Sequence, residues 1–191
     1  MTREDILHAS AQIFRRKGFH ATSMQDIADA VGLQKASLYH HIASKQEILL
    51  ALLDQALDLL IEDLSAVANS DRPPREKLRT AVRTYIRTLS DHADLASVLL
   101  LEYRYLKHDL LQRHIDRRDR FEAIWRSLLQ EGIESGDFRP VDPTLAGFAL
   151  LGVQNWMITW YRPGGDLDPD EIAESFADLY LEGLNTNGRV P

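Results

Sequence analysis

Lys35, Ala36, Ser37, Tyr39 and His40 lie close together, and Lys45 follows them. Ammonium, hydroxyl and imidazole groups can bond phosphate oxygens or base edges, and an alanine methyl can meet the methyl of thymine. On one face of a short helix, these residues supply chemistry suited to double-stranded DNA. Lys45 stands in the first turn of the next helix, where a cation opposes the helix dipole. A phosphate seated before that N-terminus would give the cation a purpose. Ser23 and Gln34 complete the candidate DNA contacts.

Such residues must be held by something rigid, and the stretch 22–49 predicts what. Ser23 is a good N-cap, with Asp26 three residues on, where a carboxylate meets free backbone N–H groups. Ile27, Ala28 and Val31 recur at helical spacing. Gly32 can adopt the left-handed backbone that stops a helix sharply. Leu33 then packs inward. A second short helix is expected over 35–41, with Leu38 and Ile42 inward. Ser44 and Glu47 predict a capping box for a third helix. Helix, glycine turn, helix is the outline of a helix-turn-helix.

The pattern Ile27-Ala28, Gly32, Ser37-Leu38-Tyr39, His41, Ser44-Lys45, Leu49 resembles the DNA-binding domain of the TetR family of transcriptional repressors. The resemblance covers about the first quarter of the chain. The turn departs from the family's usual Ala-Gly-Val, reading Val31-Gly32-Leu33, and Ile42 stands where Phe is usual. Both keep apolar character. Gln34 replaces a small polar N-cap, so it either weakens the cap or is free to read DNA.

Hydrophobic residues make up 45% and charged residues 27%, ordinary for a soluble globular chain. With no cysteine there is no disulfide framework, thiolate metal site or cysteine nucleophile. No apolar leader or membrane-length run is visible, so the expected location is the cytoplasm, with no membrane partner. A net charge of −7 looks unsuited to DNA. Its distribution resolves this: residues 1–50 carry six basic and five acidic side chains, and the remainder 16 and 24. Acidic bulk suppresses non-specific DNA binding, leaving affinity to a small contact patch. No catalytic motif or phosphate loop is present. Glu102, His108 and His114 match no metal-ligand spacing. An enzyme, a cofactor and a metal are therefore not expected.

The rest of the chain predicts only helices, over 3–17, 45–68, 74–91, 95–106, 109–135, 143–161 and 169–184. Thr2 with Asp5 and Asp168 with Glu171 look like N-terminal boxes, and Asp142-Pro143 is a strong start. Arg15, Arg16 and Lys17 end the first helix, complementing its dipole or meeting phosphate. The tail from Asn185 is expected to fray. The expected fold is all-α: a three-helix DNA-binding domain over 1–48, then a helical effector-binding and dimerisation domain over 49–191.

A DNA site read by one helix per subunit is usually two-fold symmetric, which asks for a homodimer. The last two helices, about 143–184, are the candidate interface, as the resemblance also implies. Candidate lining residues for a small hydrophobic effector are Tyr85, Leu99, Tyr103, Phe121, Trp125, Phe148, Asn155, Trp156 and Thr159. Asn155 and Thr159, one turn apart, could anchor a polar end. The same positions fit a core or a dimer contact, and sequence leaves these alternatives open. The segment Asn155-Trp156 with Trp160-Tyr161-Arg162-Pro163-Gly164-Gly165 resembles the family's regulators of fatty-acid and steroid catabolism, which implies an acyl-CoA thioester. Arg113, His114, Arg117, Arg118 and Arg120 could then meet CoA phosphates, or form a salt-bridged face with Asp116, Asp119 and Glu122. An activator, or a helical scaffold without DNA binding, are the competing readings.

Overall fold

The structure, a computed structural model, describes residues 1–185. The tail beyond Asn185 lies outside them. Among the described residues all regular structure is helical: α1 (Arg3–Lys17), α2 (Met24–Ala30), α3 (Lys35–Leu38), α4 (Lys45–Ala68), α5 (Pro74–Asp91), α6 (Ala93–Ser97), α7 (His108–Glu134), α8 (Pro143–Trp160) and α9 (Pro169–Gly183). No helix is long and apolar enough to cross a membrane. The chain divides into two compact units, and α4 and α7 supply residues to both.

The first unit combines Met1–Asp58 with His92–Arg118. Thr2 and Asp5 form a reciprocal capping box on α1, which satisfies two donors that a helix start otherwise leaves open. Helix α1 then buries Ile6, Leu7, Ala11, Ile13 and Phe14. Full burial of each large side chain contributes about 1.5–3 kcal/mol. Phe14 meets Phe19 edge to face, with centroids 5.2 Å apart. The single helix expected over 95–106 is instead three pieces: α6, a π turn at Val98–Glu102 and a 3-10 turn at Tyr103–Tyr105. The break frees Glu102 to accept from the Phe19 backbone N–H at 3.3 Å. It also lets Tyr105 lie near His20, with ring centroids 4.9 Å apart. Gln46, at the start of α4, donates to the Tyr105 carbonyl at 2.8 Å and accepts from the Lys107 N–H at 3.0 Å.

The second unit comprises Leu59–Asp91 and the described residues from Asp119 onward. Helix α5 buries Leu78, Ala81, Val82, Tyr85, Ile86 and Leu89. It lies along α9, which buries Ile172, Ala173, Ala177 and Leu181. Beside that apolar seam runs a charge ladder. Arg87 grips Asp170 with two bonds of 2.6 Å, Arg79 reaches Glu174 and Asp178, and Arg83 also pairs with Glu174. The Arg87 guanidinium holds the Asp170 carboxyl below its usual value of 3.8. Asp168 and Glu171 form the expected box on α9, and Asp142 caps α8. The Tyr180 hydroxyl donates to the Leu150 carbonyl at 2.9 Å, and burial pushes its pKa up to about 12.

Helix α8 carries no charged residue, but only one of its faces is covered within the described chain. One face buries Gly147, Leu150, Leu151, Gln154 and Met157. The other leaves Leu145, Phe148, Val153, Trp156 and Trp160 exposed.

Candidate DNA-reading head and effector region

The head is built from α1 to the start of α4. Ser23 caps α2: its Oγ accepts from the Asp26 N–H at 3.1 Å, while Asp26 accepts from Ser23 N at 2.7 Å. Lys17 donates to the same carboxylate at 2.8 Å and, with the Ser23 bonds, holds the Asp26 carboxyl far below the usual carboxylate range. Gly32 has φ +67°, a conformation that strains any residue with a Cβ. This turn directs Leu33 N–H back to the Ala28 carbonyl at 2.9 Å. Helix α3 then starts from Gln34, whose side chain makes no cap bond.

Helix α3 ends at Leu38 rather than His41. The backbone continues as a turn, with His40 N–H to Ser37 and His41 N–H to Leu38. An uncapped start and these i→i+3 bonds leave little more than one regular turn. It is nevertheless anchored, because Leu38 and Ile42 are fully buried. Lys35, Ala36 and His40 are exposed, Ser37 is half-buried, and Tyr39 stands 46% exposed. Neither the Lys35 nor the Tyr39 side chain has an ion-pair or hydrogen-bond partner among the described residues.

Lys45 has a different engagement from the one its position suggested. Its ammonium donates to the carbonyl of Phe19 at 2.6 Å and to those of His20 and Thr22. It also lies 4.4 Å from the centre of the Phe19 ring. An ammonium has three donors, and three carbonyls occupy them. Desolvation lowers its pKa. Lys45 therefore ties the α1–α2 connection to the start of α4. Ser44 caps α4 as expected, accepting from Glu47 N–H at 3.1 Å. Glu47 returns to the N–H of Ala43, not of Ser44, and also pairs with Arg3.

The expected effector-lining residues do not form one group. In the second unit, Tyr85, Phe121 and Trp125 form an aromatic cluster, with Tyr85 5.7 Å from Phe121 and 5.8 Å from Trp125. The Tyr85 hydroxyl donates to Asn155 Oδ1 at 2.6 Å, and burial pushes its pKa up. The Trp125 indole N–H is buried and has no hydrogen-bond partner among the described residues. Phe148, Trp156 and Thr159 lie on the exposed face of α8 instead, and the Thr159 hydroxyl donates to the Trp156 carbonyl of its own helix. A groove of about 540 Å³ includes Leu129, Arg139, Leu145, Leu150, Leu179 and Tyr180 in its lining and none of the expected residues.

Leu99 and Tyr103 belong to the first unit, in the π turn and the 3-10 turn. Tyr103 stacks on His114, with centroids 5.8 Å apart. His114 is 1% exposed, and desolvation, followed by the Arg118 charge, lowers its pKa. Two arginines of the basic run on α7 find carboxylates on α4. Arg113 pairs with Asp54 at 2.8 Å, and Arg117 with Asp54 and Asp58. Sequence reasoning missed Glu102 and Gln46 as well. A carboxylate interrupting the apolar stretch from Leu95 was the signal available for Glu102.

Residues 6–52 match the family of bacterial regulatory proteins named for tetR, and residues 71–184 match the tetracyclin repressor-like C-terminal domain. The chain belongs to the TetR family of transcriptional regulators. Its members are DNA-binding proteins rather than enzymes. The chain is 31% identical over 189 residues to the transcriptional repressor KstR2 of Mycobacterium tuberculosis, spanning 97% of this chain and 94% of that protein. It resembles the crystal structure of the TetR-family regulator PfmR from Thermus thermophilus, at 39% identity and a TM-score of 0.88, over 94% of this chain and 98% of that one. AibR, solved with isovaleryl coenzyme A and operator DNA, is 29% identical with a TM-score of 0.86, over 93% and 96% of the two chains.

Proposed function

We propose that this TetR-family chain is a dimeric repressor that binds a palindromic operator and is released by a hydrophobic effector, an acyl-CoA thioester. Residues 1–48 would read DNA and residues 49–191 would sense the effector and dimerise. The observation that carries the reading is α3: Leu38 is fully buried beneath it, while Lys35, Ala36, Tyr39 and His40 face solvent. That arrangement suits a helix entering a major groove. Ser37 joins them at the edge. Gln34, with no capping duty, is free to reach a base, and Ser23 lies at an exposed N-terminus that suits a phosphate. Lys45 acts mainly by holding the α1–α2 connection, and contacts phosphate only by yielding one of its carbonyls.

The aromatic cluster of Tyr85, Phe121 and Trp125, with Asn155 and an unpaired Trp125 N–H, supports an apolar effector carrying one acceptor group. The thioester is supported by AibR's bound isovaleryl coenzyme A. An effector releases DNA only through its different affinity for the two states. Binding of the purified protein to DNA upstream of its own gene, with and without a long-chain acyl-CoA, tests both halves. Specific binding relieved by the thioester is expected. Binding indifferent to it removes the effector assignment, and absence of specific binding removes the repressor.

A further inference from the structure

Two buried side-chain atoms of the second unit have no hydrogen-bond partner among the described residues: the Trp125 indole N–H and the Gln154 amide oxygen. Both residues are 0% exposed. The first atom donates and cannot accept, and the second accepts and cannot donate. Buried polar groups are ordinarily paired, because an unmet one forfeits the hydrogen bonds it made in water. The Gln154 amide cannot turn to hide its oxygen. Its Nε2 donates to the Leu150 carbonyl at 3.1 Å, and the Tyr180 hydroxyl donates to the same carbonyl. An amide oxygen turned that way would face another acceptor.

The two unmet atoms belong to facing helices and converge. Gly147 and Gln154 share the buried face of α8. Gly147 lies against Leu129 of α7, where a Cβ would come 3.9 Å from Leu129 Cδ1. Further along α8, Asn155 bonds Tyr85, whose ring meets those of Phe121 and Trp125. Rising numbers on α8 therefore run with falling numbers on α7. Gln154 lies two turns beyond Gly147, about 10 Å along its helix, and Trp125 one turn before Leu129, about 6 Å along the other. Helical side chains lean toward their own N-terminus, so in an antiparallel pair the leans are opposed. Trp125 leans toward the level of Gln154, and Gln154 leans back toward Trp125, as its bond to Leu150 shows.

We infer that a hydroxyl group on the hydrocarbon part of the effector joins these two atoms, accepting from Trp125 Nε1–H and donating to Gln154 Oε1. The effector class is then a hydroxylated acyl thioester. The inference rests on the thioester proposed above and specifies its chain. A hydroxyl carries an acceptor and a donor on one atom, whereas a ketone would satisfy Trp125 and set its oxygen against that of Gln154. A plain hydrocarbon would leave both unmet. The rings of Tyr85, Phe121 and Trp125 supply the apolar wall for the rest of the chain.

Calorimetric titration of the purified protein with dodecanoyl-CoA, its monohydroxylated isomers and the matching ketones tests this. One alcohol is expected to bind at least ~10-fold tighter than the parent thioester, and its ketone is not. Trp125→Phe removes the donor and Gln154→Leu the acceptor, and each should bring the ratio of alcohol to parent affinity close to one. Circular dichroism checks the fold of both variants. If dodecanoyl-CoA binds and no alcohol improves on it, the thioester reading stands and the hydroxyl is overturned. A ketone that matches its alcohol, or a preference that survives either substitution in a folded protein, overturns the assignment to this pair. If no thioester binds, both readings fall. Should one variant fail to fold, the other variant and the ketone comparison in the wild type decide.

Discussion

Two exposed helix faces of this chain have opposite chemistry. The outward face of α3 carries Lys35, Tyr39 and His40 over a buried Leu38, and the Lys35 and Tyr39 side chains find no partner among the described residues. The outward face of α8 carries Phe148, Trp156 and Trp160 and no charge at all. Elsewhere the chain pairs its charges readily, as Arg79, Arg83 and Arg87 do with the carboxylates of α9. Exposure without satisfaction is therefore informative at both places. A cationic, hydroxylic face matches an anionic duplex, and a charge-free aromatic face matches another apolar surface.

The comparison is broken most directly by placing charge on α8. Trp156→Glu is expected to weaken dimerisation at least ~100-fold and to take operator binding with it, while the monomer keeps its helical content. Sedimentation and a gel-shift titration read the two effects. Lys45→Ala comes next, because it strips the partner from the carbonyls of Phe19 and Thr22. A loss of about 1–3 kcal/mol in urea unfolding is expected, the cost of leaving buried groups unmet. Tyr39→Ala inverts that pattern. Operator affinity falls by about tenfold, the lower end of what one base contact contributes, with the unfolding midpoint unchanged.

Two smaller effects sharpen the contrast. Lys35→Ala should reduce the dependence of log affinity on log salt by roughly one phosphate contact, measured by anisotropy across a salt series. Asp170→Asn should destabilise the fold at neutral pH and lose its effect in acid. The Arg87 partner lowers the Asp170 pKa in the folded chain, so its contribution is fully present above about 3.8 and is lost as pH falls through the lowered folded value. Thermal unfolding at pH 3 and pH 7 should show the two proteins converging in acid.

What sequence revealed and what it hid divide along physical lines. The boxes of Thr2 with Asp5, Ser23 with Asp26 and Asp168 with Glu171 span three residues each, so local spacing was enough to find them. The stop at Gly32 and the inward turn through Leu38 were legible for the same reason. The two faces of α8 were not, because a helix apolar on every side has no period to betray which side is covered. Sequence groups Phe148, Trp156 and Thr159 with Tyr85 on that account, whereas these three are exposed or bonded within their own helix and Asn155 bonds Tyr85. The engagement of Lys45 was hidden because its carbonyl partners lie more than twenty residues away. The shortness of α3 was half legible, since Gln34 is a poor cap. The π turn at Val98–Glu102 left no local signal in an apolar run that also suits an α-helix.

The most direct test of the central claim is selection of duplexes from a random-sequence pool by the purified protein, followed by measurement of the stoichiometry on the selected site. The account predicts an inverted repeat with half-sites about one helical turn apart, bound by dimers and lost in Tyr39→Ala. A pool that stays random, or a selected site without two-fold symmetry, would contradict it.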